Sequence, residues 1–437
     1  MKEYVELYRT ASRRILLYCD FACNSGFAEV ATQVLRGLIP VLQKKNWVCD
    51  VAAINYHAEN FLYSDRIRVI NPISFAKNRD DIYRRDGVAM MLKEGEYDLL
   101  WCINDIDVLH QFIELCNYVR SMRIKHQRRT FKIMVYTPID SKPKKDNALR
   151  VMNYADDMVT YTKYGQKLLY DVKKGKTITV IRHGCSYLES EAVIQNDPLG
   201  KFIAPERKEL RKKYFGCDDE DINEWFVYGN INRNSVRKNI GDTILAFSKI
   251  KASTNSKVKL YLQCDPKDPM GVDVEQCCMA LDLVYGTDVI VPKNYDHLKG
   301  GYSEGEMKDI YRCLDAYVTT TMAEGWGLTV MEAMGMGIPT IYPNHTSLTE
   351  ITKNRGFRVN EVIETIPAFD ANNVRFKAEL SSVEKMMTSV LYHSRLDMNG
   401  YSQTMIPVIQ RQYEVAKSYE WKNIVEDWEK KLSWILK

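Results

Sequence analysis

Short apolar runs alternate with amphipathic segments along most of the 437-residue chain. Strands of a parallel sheet are buried on both faces and read as near-continuous apolar runs, while the segments between them supply the covering helices. The first half contains seven such runs: RILLYC, WVCDVAAI, IRVI, DLLWCI, FKIMVY, DMVTY and TITVI. The second half contains five more: WFVYG, VKLYLQ, DVIV, DAYVTTT and IPTIY. The pattern predicts two doubly wound α/β domains in tandem.

Helical spacing is clearest in two of the intervening segments. After Gly26, apolar residues recur on one face, at Phe27, Val30, Ala31, Val34, Leu35 and Leu38. Ser303 and Glu306 form the pattern of a capping box, and the helix that follows directs an apolar set inward, at Met307, Ile310, Tyr311 and Leu314. At the C-terminal end, Trp421, Trp428 and Trp434 predict a helix whose tryptophans pack into a core.

The length suits two domains rather than one ordinary core. A polar, charged stretch over 188–224, which includes the acidic cluster DDED (218–221), is interpreted as the linker and first helix of the second domain, with a metal site as the alternative. We therefore predict an N-terminal domain over 1–190, completed by a C-terminal helix over about 415–437, and a second domain over 191–414.

The composition excludes several classes of protein. Hydrophobic content of 45% and charged content of 27% indicate a globular chain rather than a disordered one. The net charge of +4 argues against a general nucleic-acid coat, although RIKHQRR (123–129) and KPKK (142–145) are local basic patches or simply solvated faces. Eleven cysteines without a C-x-x-C repeat favour reduced thiols and a cytoplasmic protein. No transmembrane run is present, and peripheral membrane contact is left open.

The segment AEGWGLTVMEAMGMG (323–337) carries the most informative chemistry. Gly325 and Gly327 predict a tight turn between the strand DAYVTTT and a helix that begins near Leu328. The free N–H groups of that helix suit a phosphate, and Glu324 and Glu332 suit sugar hydroxyls. The combination predicts a nucleotide-sugar site. An ordinary surface helix and a dinucleotide fingerprint are the alternatives, and the latter lacks its third glycine.

A second constellation, GNINRNSVRKN (229–239), directly follows the strand WFVYG. Arg233 and Lys238 lie five positions apart, with Arg237 between them. On a loop at the same edge of the sheet, such cations would neutralise a diphosphate, Arg in bidentate fashion and Lys as a point charge. A solvated surface loop is the alternative interpretation.

The ordered set of motifs resembles the retaining glycosyltransferases of family 4, which have the GT-B fold. EGWGLTVME resembles their E-x7-E motif, and RKELRKKYFG with GNINRNSVRKN resembles their R-x4-K segment. NSGFAEVATQVLRGL resembles the glycine loop and first helix, ADDMVTYTKYGQKLL a late strand and helix of the first domain, and VIRHGCSYLE the domain junction. The resemblance implies two Rossmann-like domains facing a central cleft, with the C-terminal helix packing back on the N-terminal domain.

The resemblance also implies roles for individual residues. Glu332 would bind the donor ribose, Glu324 would lie near the sugar ring, and Arg233 with Lys238 would hold the departing diphosphate. Backbone N–H groups at Gly327 and Leu328 would assist them. The remaining implied donor contacts are Gly325 in the turn, Gly26 in the first domain, Pro292 after the strand DVIV, and the loop from Asn344 through Thr346 to Ser347.

Two positions depart from the family pattern. The strand that usually ends near a sugar-contacting His reads YTPID here, so Tyr136, Thr137 and Asp140 take its place, and His183 replaces the junction asparagine. These residues are candidates for sugar or acceptor contacts, and His183 is equally well explained as a packed core residue. Asp105 and Asp107 form D-x-D but follow a first-domain strand, so we interpret them as a loop and helix cap.

The implied activity is hexosyl transfer with retention from a UDP- or GDP-sugar to an acceptor hydroxyl, without a metal or other cofactor. The expected acceptor is a glycan, a lipid-linked sugar or a protein. One alternative keeps the fold and transfers to a hydroxymethylated base in DNA, using the first-domain basic patches. An alternative of another class is an inactive nucleotide-sugar-binding or scaffold protein. The sequence names neither the sugar, the base, the linkage nor the oligomeric state.

Overall fold

The computed structural model describes residues 2–23, 25–76, 80–196, 205–216, 220–292, 301–395 and 405–437. The chain forms two compact units. The first comprises Met1–Gly184 with Trp421–Lys437, and the second comprises Cys185–Glu420. Each unit is built around its own parallel sheet.

The first unit contains all seven strands that the apolar runs predict, together with one short strand that they do not. Its strands are β1 (Arg13–Cys19), β2 (Trp47–Ala53), β3 (Phe61–Leu62), β4 (Ile67–Ile70), β5 (Leu99–Ile103), β6 (Lys132–Thr137), β7 (Asp157–Thr160) and β8 (Ile178–Val180). They form one sheet in the order β3-β4-β2-β1-β5-β6-β7-β8. All pairs are parallel except β3 with β4. Because β2 and β5 flank β1 on opposite sides, the winding direction reverses between β1 and β5.

Helices cover this sheet: α1 (Lys2–Thr10), α2 (Gly26–Lys45), α3 (Arg85–Glu94), α4 (Ile106–Lys125), α5 (Lys145–Tyr154) and α6 (Lys163–Val172). Helix α2 begins at Gly26, as predicted, and Ser25 caps it by accepting a hydrogen bond from the Ala28 N–H at 3.1 Å. The predicted apolar face is buried except for Phe27, which is half-buried because Ala28 takes the inward position in the first turn.

The second unit contains the five predicted strands and one more in a six-stranded parallel sheet. The strands are β9 (Phe226–Ile231), β10 (Val258–Gln263), β11 (Val289–Ile290), β12 (Ala316–Val318), β13 (Thr340–Pro343) and β14 (Phe357–Val359), in the order β11-β10-β9-β12-β13-β14. Since β9 and β12 are neighbours, the loops that follow them meet at the carboxyl edge of the sheet. These are the two loops that carry the sequence motifs.

The helices of the second unit are α7 (Glu191–Asn196), α8 (Pro205–Phe215), α9 (Ile240–Ser253), α10 (Val274–Ala280), α11 (Glu304–Arg312), α12 (Leu328–Gly335), α13 (Thr346–Ile351), α14 (Leu380–Arg395) and α15 (Met405–Lys417). The predicted capping box of Ser303 and Glu306 is present at the start of α11. An antiparallel hairpin, β15 (Val362–Thr365) with β16 (Arg375–Ala378), was not predicted. Its two strands have four residues each, range from exposed to buried, and give no buried apolar run.

The C-terminal helix α16 (Trp421–Ile435) belongs to the first unit and packs on α2, as the fold prediction required. Trp428 is fully buried, and its ring lies 4.6 Å from that of Trp101. The expectation that all three tryptophans pack into the core is wrong for Trp434, whose exposed fraction is 58%. The six-residue step from Trp428 places Trp434 off the buried stripe of the helix.

The basic patch RIKHQRR is occupied by internal contacts. The buried Arg123 donates to three backbone carbonyls at the C-terminal end of α3 and, with Arg128, binds the Glu96 carboxylate at 3.0 and 3.2 Å. Arg129 pairs with Asp98, which immediately precedes β5. The patch therefore lies at the amino edge of the first sheet, and its arginines stabilise the fold.

Of the acidic cluster DDED, Asp218 and Asp219 lie outside the described residues, while Asp221 pairs with Lys257 at 2.6 Å. Within the described ranges, no group of three or more His, Cys, Asp or Glu side chains could hold a metal ion. No helix in the part of the chain that the structure describes is both long enough and apolar enough to cross a membrane.

Candidate active site

The turn before α12 depends on one glycine. Gly327 has φ 106° and ψ 56°, a left-handed conformation that L side chains rarely adopt, and a Cβ atom there would lie 2.6 Å from Leu348 Cδ2. Gly325 has no positive φ, so only the second glycine of the pair is required by backbone geometry. Helix α12 begins at Leu328, as predicted, and the N–H groups of its first turn have no intrahelical acceptor.

Glu324 lies at the centre of an ionic cluster in this turn. It is 7% exposed, and the Lys238 Nζ lies 2.5 Å from its Oε1. Arg237 Nη1 lies 3.4 Å from the other carboxylate oxygen and donates to the Ala323 carbonyl at 2.5 Å. Burial alone would raise the pKa of Glu324, but the charges of Lys238 and Arg237 outweigh it and hold that pKa below its ordinary value. The carboxylate is therefore ionised at neutral pH.

The first residues of α13 fix the same turn from the other side. The Thr346 hydroxyl accepts a hydrogen bond from the Glu324 N–H at 3.2 Å, and the Ser347 hydroxyl donates to the Glu324 carbonyl at 2.6 Å. Thr346 has φ 50°, an uncommon conformation for a β-branched residue. Backbone strain of this kind persists where surrounding contacts enforce it, as at ligand-binding sites. Asn344, by contrast, donates to the Asn360 side chain at 2.9 Å.

The two cations chosen from the R-x4-K spacing occupy different surroundings. The Arg233 side chain is 62% exposed and pairs with Asp268 at 2.8 Å. Arg237, which sequence reasoning placed only between the two, joins Lys238 at Glu324. Both belong to the 3-10 turn Val236–Lys238, which ends at Asn239 with φ 51°. The sequence offered one hint of this arrangement, because Arg237 and Lys238 are adjacent residues shortly before a helix. A tight turn at such a position can direct two adjacent side chains to one site.

Glu332 lies in the second turn of α12 and is also buried. The Tyr311 hydroxyl donates to its Oε2 at 2.8 Å. Burial raises the pKa of Tyr311 well above its ordinary value, so the phenol stays protonated and remains a donor. Tyr311 was assigned to the core from helical spacing, and its role as a partner of Glu332 was missed, because nothing in the sequence pairs α11 with α12.

The other predicted donor contact of this unit is Pro292, a buried residue two positions after β11. The rest of the PKN loop lies outside the described residues. The binding and catalytic roles assigned to Pro292 and to all the other predicted site residues stay predictions.

Of the residues of the first unit that were predicted to contact the donor, the sugar or the acceptor, some lie at the surface and others in the core. Gly26 is exposed at the start of α2, and Asp140 is half-buried, accepting from the Ser141 hydroxyl at 3.2 Å. Tyr136 is fully buried and donates to the Ile181 carbonyl at 2.9 Å. His183 packs against the rings of Tyr136 and Tyr161, and burial lowers the pKa of His183 to about 3. A neutral, packed imidazole matches the core interpretation of that histidine.

The D-x-D pair also has local contacts. Asp105 occupies the N-cap position of α4, as predicted, although its side chain makes no capping hydrogen bond. Asp107 accepts a hydrogen bond from the Asn147 side chain at 2.7 Å.

Comparison with known proteins finds a sequence match in the second unit. Residues 291–365, from the end of β11 through β15, match the family described as glycosyl transferases group 1. A 150-residue part of the chain is 28% identical to the GtfA subunit of UDP-N-acetylglucosamine–peptide N-acetylglucosaminyltransferase of Streptococcus pneumoniae. That match covers 33% of this chain and 25% of the relative, so the chain spans a quarter of the length of the curated relative it matches.

Solved structures resemble the chain over nearly its whole length. Sucrose-phosphate synthase of Thermosynechococcus elongatus has a TM-score of 0.67 at 14% identity, covering 97% of this chain and 99% of that one. The catalytic domain of starch synthase IV of Arabidopsis thaliana, bound to ADP and acarbose, has a TM-score of 0.63 at 13% identity, covering 98% and 100%. Anabaena HepE, in complex with UDP and glucose, has a TM-score of 0.62 at 14% identity, covering 96% and 99%. These similarities confirm the GT-B fold, and the second unit carries a segment of glycosyltransferase sequence.

Proposed function

We propose that this protein is a retaining glycosyltransferase of the family 4 type, which transfers a hexose-type sugar from a nucleoside diphosphate to an acceptor hydroxyl. The observation that carries the proposal is the cluster of Lys238, Arg237 and Glu324 beside the first turn of α12. Two cations and a row of free N–H groups suit a diphosphate, and the buried carboxylate beside them suits sugar hydroxyls.

Binding of a donor would redistribute the contacts of Lys238. In the structure its ammonium group is paired with Glu324, and a diphosphate would offer it a stronger, more highly charged partner. Glu324 would then be released toward the sugar ring while Arg237 retains its bond to the Ala323 carbonyl. Arg233 would need to leave Asp268 to join them. Gly327 and Leu328 would contribute backbone N–H groups to the same phosphates.

The nucleoside would be held by Glu332. A carboxylate accepts hydrogen bonds from both hydroxyls of a ribose, and the Tyr311 hydroxyl on its Oε2 restricts the rotation of the group. UDP and GDP are the expected nucleotides. The structure of HepE contains UDP and that of starch synthase IV contains ADP, so ADP belongs in any test.

Catalysis would consist mainly of stabilising the leaving group. The transition state of glycosyl transfer resembles an oxocarbenium ion separating from a diphosphate, and negative charge grows on that diphosphate. Lys238, Arg237 and the start of α12 would already point at the diphosphate before the reaction begins. The protein would therefore not have to reorient its charged groups while the glycosidic bond breaks. The acceptor would attack from the face that the diphosphate leaves, with the departing phosphate taking its proton. Side-chain cations would then replace a metal ion.

The proposed acceptor is a glycan, a lipid-linked sugar or a protein. The relative from Streptococcus pneumoniae is named as a peptide-modifying enzyme, which favours including peptides in the search. Transfer to a base in DNA remains the alternative, but the three RIKHQRR arginines are already paired with Glu96 and Asp98, which reduces the charge that this patch offers to DNA. Lys142 and Lys144 of the other patch are exposed. We propose a cytoplasmic location on the strength of the cysteine usage.

Donor cleavage provides a test that needs no known acceptor, because water can accept the sugar slowly. The protein would be incubated with UDP-, GDP- and ADP-linked glucose, galactose and N-acetylglucosamine, with and without EDTA, and product anomers followed by NMR. We expect one nucleotide to be released, with the α-anomer appearing first from an α-linked donor and no effect of EDTA. Lys238→Met should abolish release. If a nucleotide sugar binds but no donor is cleaved with water or with any acceptor tested, the result would instead support an inactive nucleotide-sugar-binding or scaffold protein.

A further inference from the structure

The first unit contains a polar cluster that none of the sequence motifs includes. It lies at the carboxyl edge of the sheet, where β1 and β5 end side by side. This is the point at which the winding direction of the sheet reverses. In open α/β sheets, ligands bind outside the carboxyl ends of the strands at such a switch point. The residues found there are Asp20 after β1 and Asn104 after β5.

Asp20 is a buried carboxylate held by a neutral group. It is 8% exposed, and it accepts a hydrogen bond from the Asn55 amide at 3.0 Å. Among the described residues, no Lys, Arg or His forms an ion pair with it. Burial raises the pKa of Asp20 above its ordinary value. A carboxylate has about four acceptor positions, so the bond from Asn55 leaves most of the accepting capacity of Asp20 available to a ligand.

Asn104 supplies a complementary donor. It is 5% exposed, and its Oδ1 accepts the Asp105 N–H at 2.8 Å. Its Nδ2 donates no hydrogen bond within the described ranges. The Nδ2 atom is not among the fully buried unpaired atoms, so it is open to solvent and can donate to a ligand oxygen.

The sheet register places these two groups next to each other. Tyr18 pairs with Cys102, and Asp20 and Asn104 each follow two residues later, one residue past the end of its strand. Neighbouring strands are about 4.8 Å apart, so one small ligand can contact both side chains. The loop that leaves Asp20 contains Ala22 with φ 54°, a strained backbone conformation of the kind found around binding sites.

We infer that Asp20 and Asn104 form the acceptor subsite and bind the hydroxyls of a neutral carbohydrate. The inference rests on the proposed function, which requires a site for an acceptor hydroxyl. Two hydroxyls can donate to the carboxylate while a third oxygen accepts from the Asn104 amide, which is the pattern of adjacent sugar hydroxyls. A phosphorylated acceptor would place its charge against Asp20 without a cation in the cluster to compensate, so it is disfavoured.

Saturation-transfer NMR on the full chain tests this assignment directly. The probes are glucose, galactose, mannose, N-acetylglucosamine and maltose, with glucose 6-phosphate as the charged comparison, each with and without UDP or GDP. We expect at least one neutral sugar to bind the wild type. Its affinity should fall about tenfold or more in Asp20→Asn and in Asn104→Ala, because each variant removes a buried hydrogen bond that the ligand makes. Asp171→Asn, an exposed position on α6, serves as the matched control.

The two variants keep the test decisive if one of them fails to fold. Unchanged sugar affinity in either folded variant would overturn the inference. Tighter binding of glucose 6-phosphate than of every neutral sugar, or no sugar binding by the wild type with or without nucleotide, would overturn it as well. Nucleotide binding in the same samples separates this from the proposed function: a protein that binds UDP or GDP but fails the sugar test loses only the acceptor assignment.

Discussion

The ammonium group of Lys238 lies 2.5 Å from the carboxylate of Glu324, although 86 residues separate them in the chain. They meet because β9 and β12 are adjacent strands, so the loops that follow these strands share one edge of the sheet. Arg237 reaches the same carboxylate from the preceding position. The cluster therefore links the two sequence motifs that we connect with donor binding.

Removing one partner of this ion pair should destabilise the second unit. Both side chains are largely buried, so Lys238→Met leaves a buried carboxylate with Arg237 as its remaining cation. We expect the free energy of unfolding to fall by about 3 kcal/mol, measured by urea titration. The double variant Lys238→Met with Glu324→Gln should recover much of that loss. A Lys238→Met variant as stable as the wild type would show that the pair is not maintained in solution.

The lowered pKa of Glu324 predicts how stability depends on pH. A carboxyl whose pKa is lower in the folded state contributes stability above its unfolded pKa of about 4.5, and this contribution disappears as the pH falls through the lower folded value. Acidification from pH 6 to pH 3 should therefore cost the wild type more stability than it costs Glu324→Gln. Thermal unfolding of both proteins across this range measures the difference. Parallel curves would contradict the assigned direction of the shift.

The hydrogen bond from Tyr311 should matter for ribose recognition. Tyr311→Phe removes the hydroxyl but keeps the buried ring, so the fold should remain while Glu332 loses the donor that orients it. We expect nucleotide affinity to fall about tenfold, since a hydrogen bond to a charged group is involved. Preference for the nucleotide over its 2′-deoxy form should fall with it. Equal losses for both forms would indicate a general packing effect instead.

Two tryptophans of α16 offer a matched comparison of burial. Trp428→Ala should cost about 3–5 kcal/mol, because the ring is fully buried against Trp101. Trp434→Ala should change stability by about 1 kcal/mol or less, since that ring is mostly exposed and its stabilising contact is the Lys431 ammonium at 4.8 Å. Chemical denaturation of the two variants tests both values. Similar costs would mean that Trp434 is buried in solution.

The buried strands could be predicted because the strands of a parallel sheet are apolar along most of their length. Strands β1, β5 and β9 each coincide with such an apolar run. The hairpin β15–β16 could not, since its strands have only four residues each and mix apolar with charged residues, as loops do. The phase of α2 shows a finer limit: Phe27 fits the helical face by spacing, but the backbone of the first turn points Ala28 inward.

Some residues of the candidate site could likewise be predicted from the sequence, and others could not. Glu324, Gly327 and Glu332 could be identified because turn chemistry and spacing lie within one short segment. Arg237 could not be separated from Arg233 by spacing, because the 3-10 turn decides which side chain reaches Glu324. Asp20 and Asn104 were missed for a different reason. Each is an ordinary polar residue after a strand, and only the order of strands in the sheet brings them together.

Isothermal titration calorimetry with UDP, GDP and ADP tests the central claim most directly, on the wild type, Lys238→Met and the exposed-lysine control Lys267→Met. The account predicts that one nucleoside diphosphate binds the wild type and the control alike, more tightly than its monophosphate. Lys238→Met should weaken that binding by about 10- to 100-fold, because a charge-assisted contact to the diphosphate is lost. If no nucleotide binds, or if Lys238→Met binds as tightly as the wild type, the second unit does not hold a nucleotide sugar in the way described.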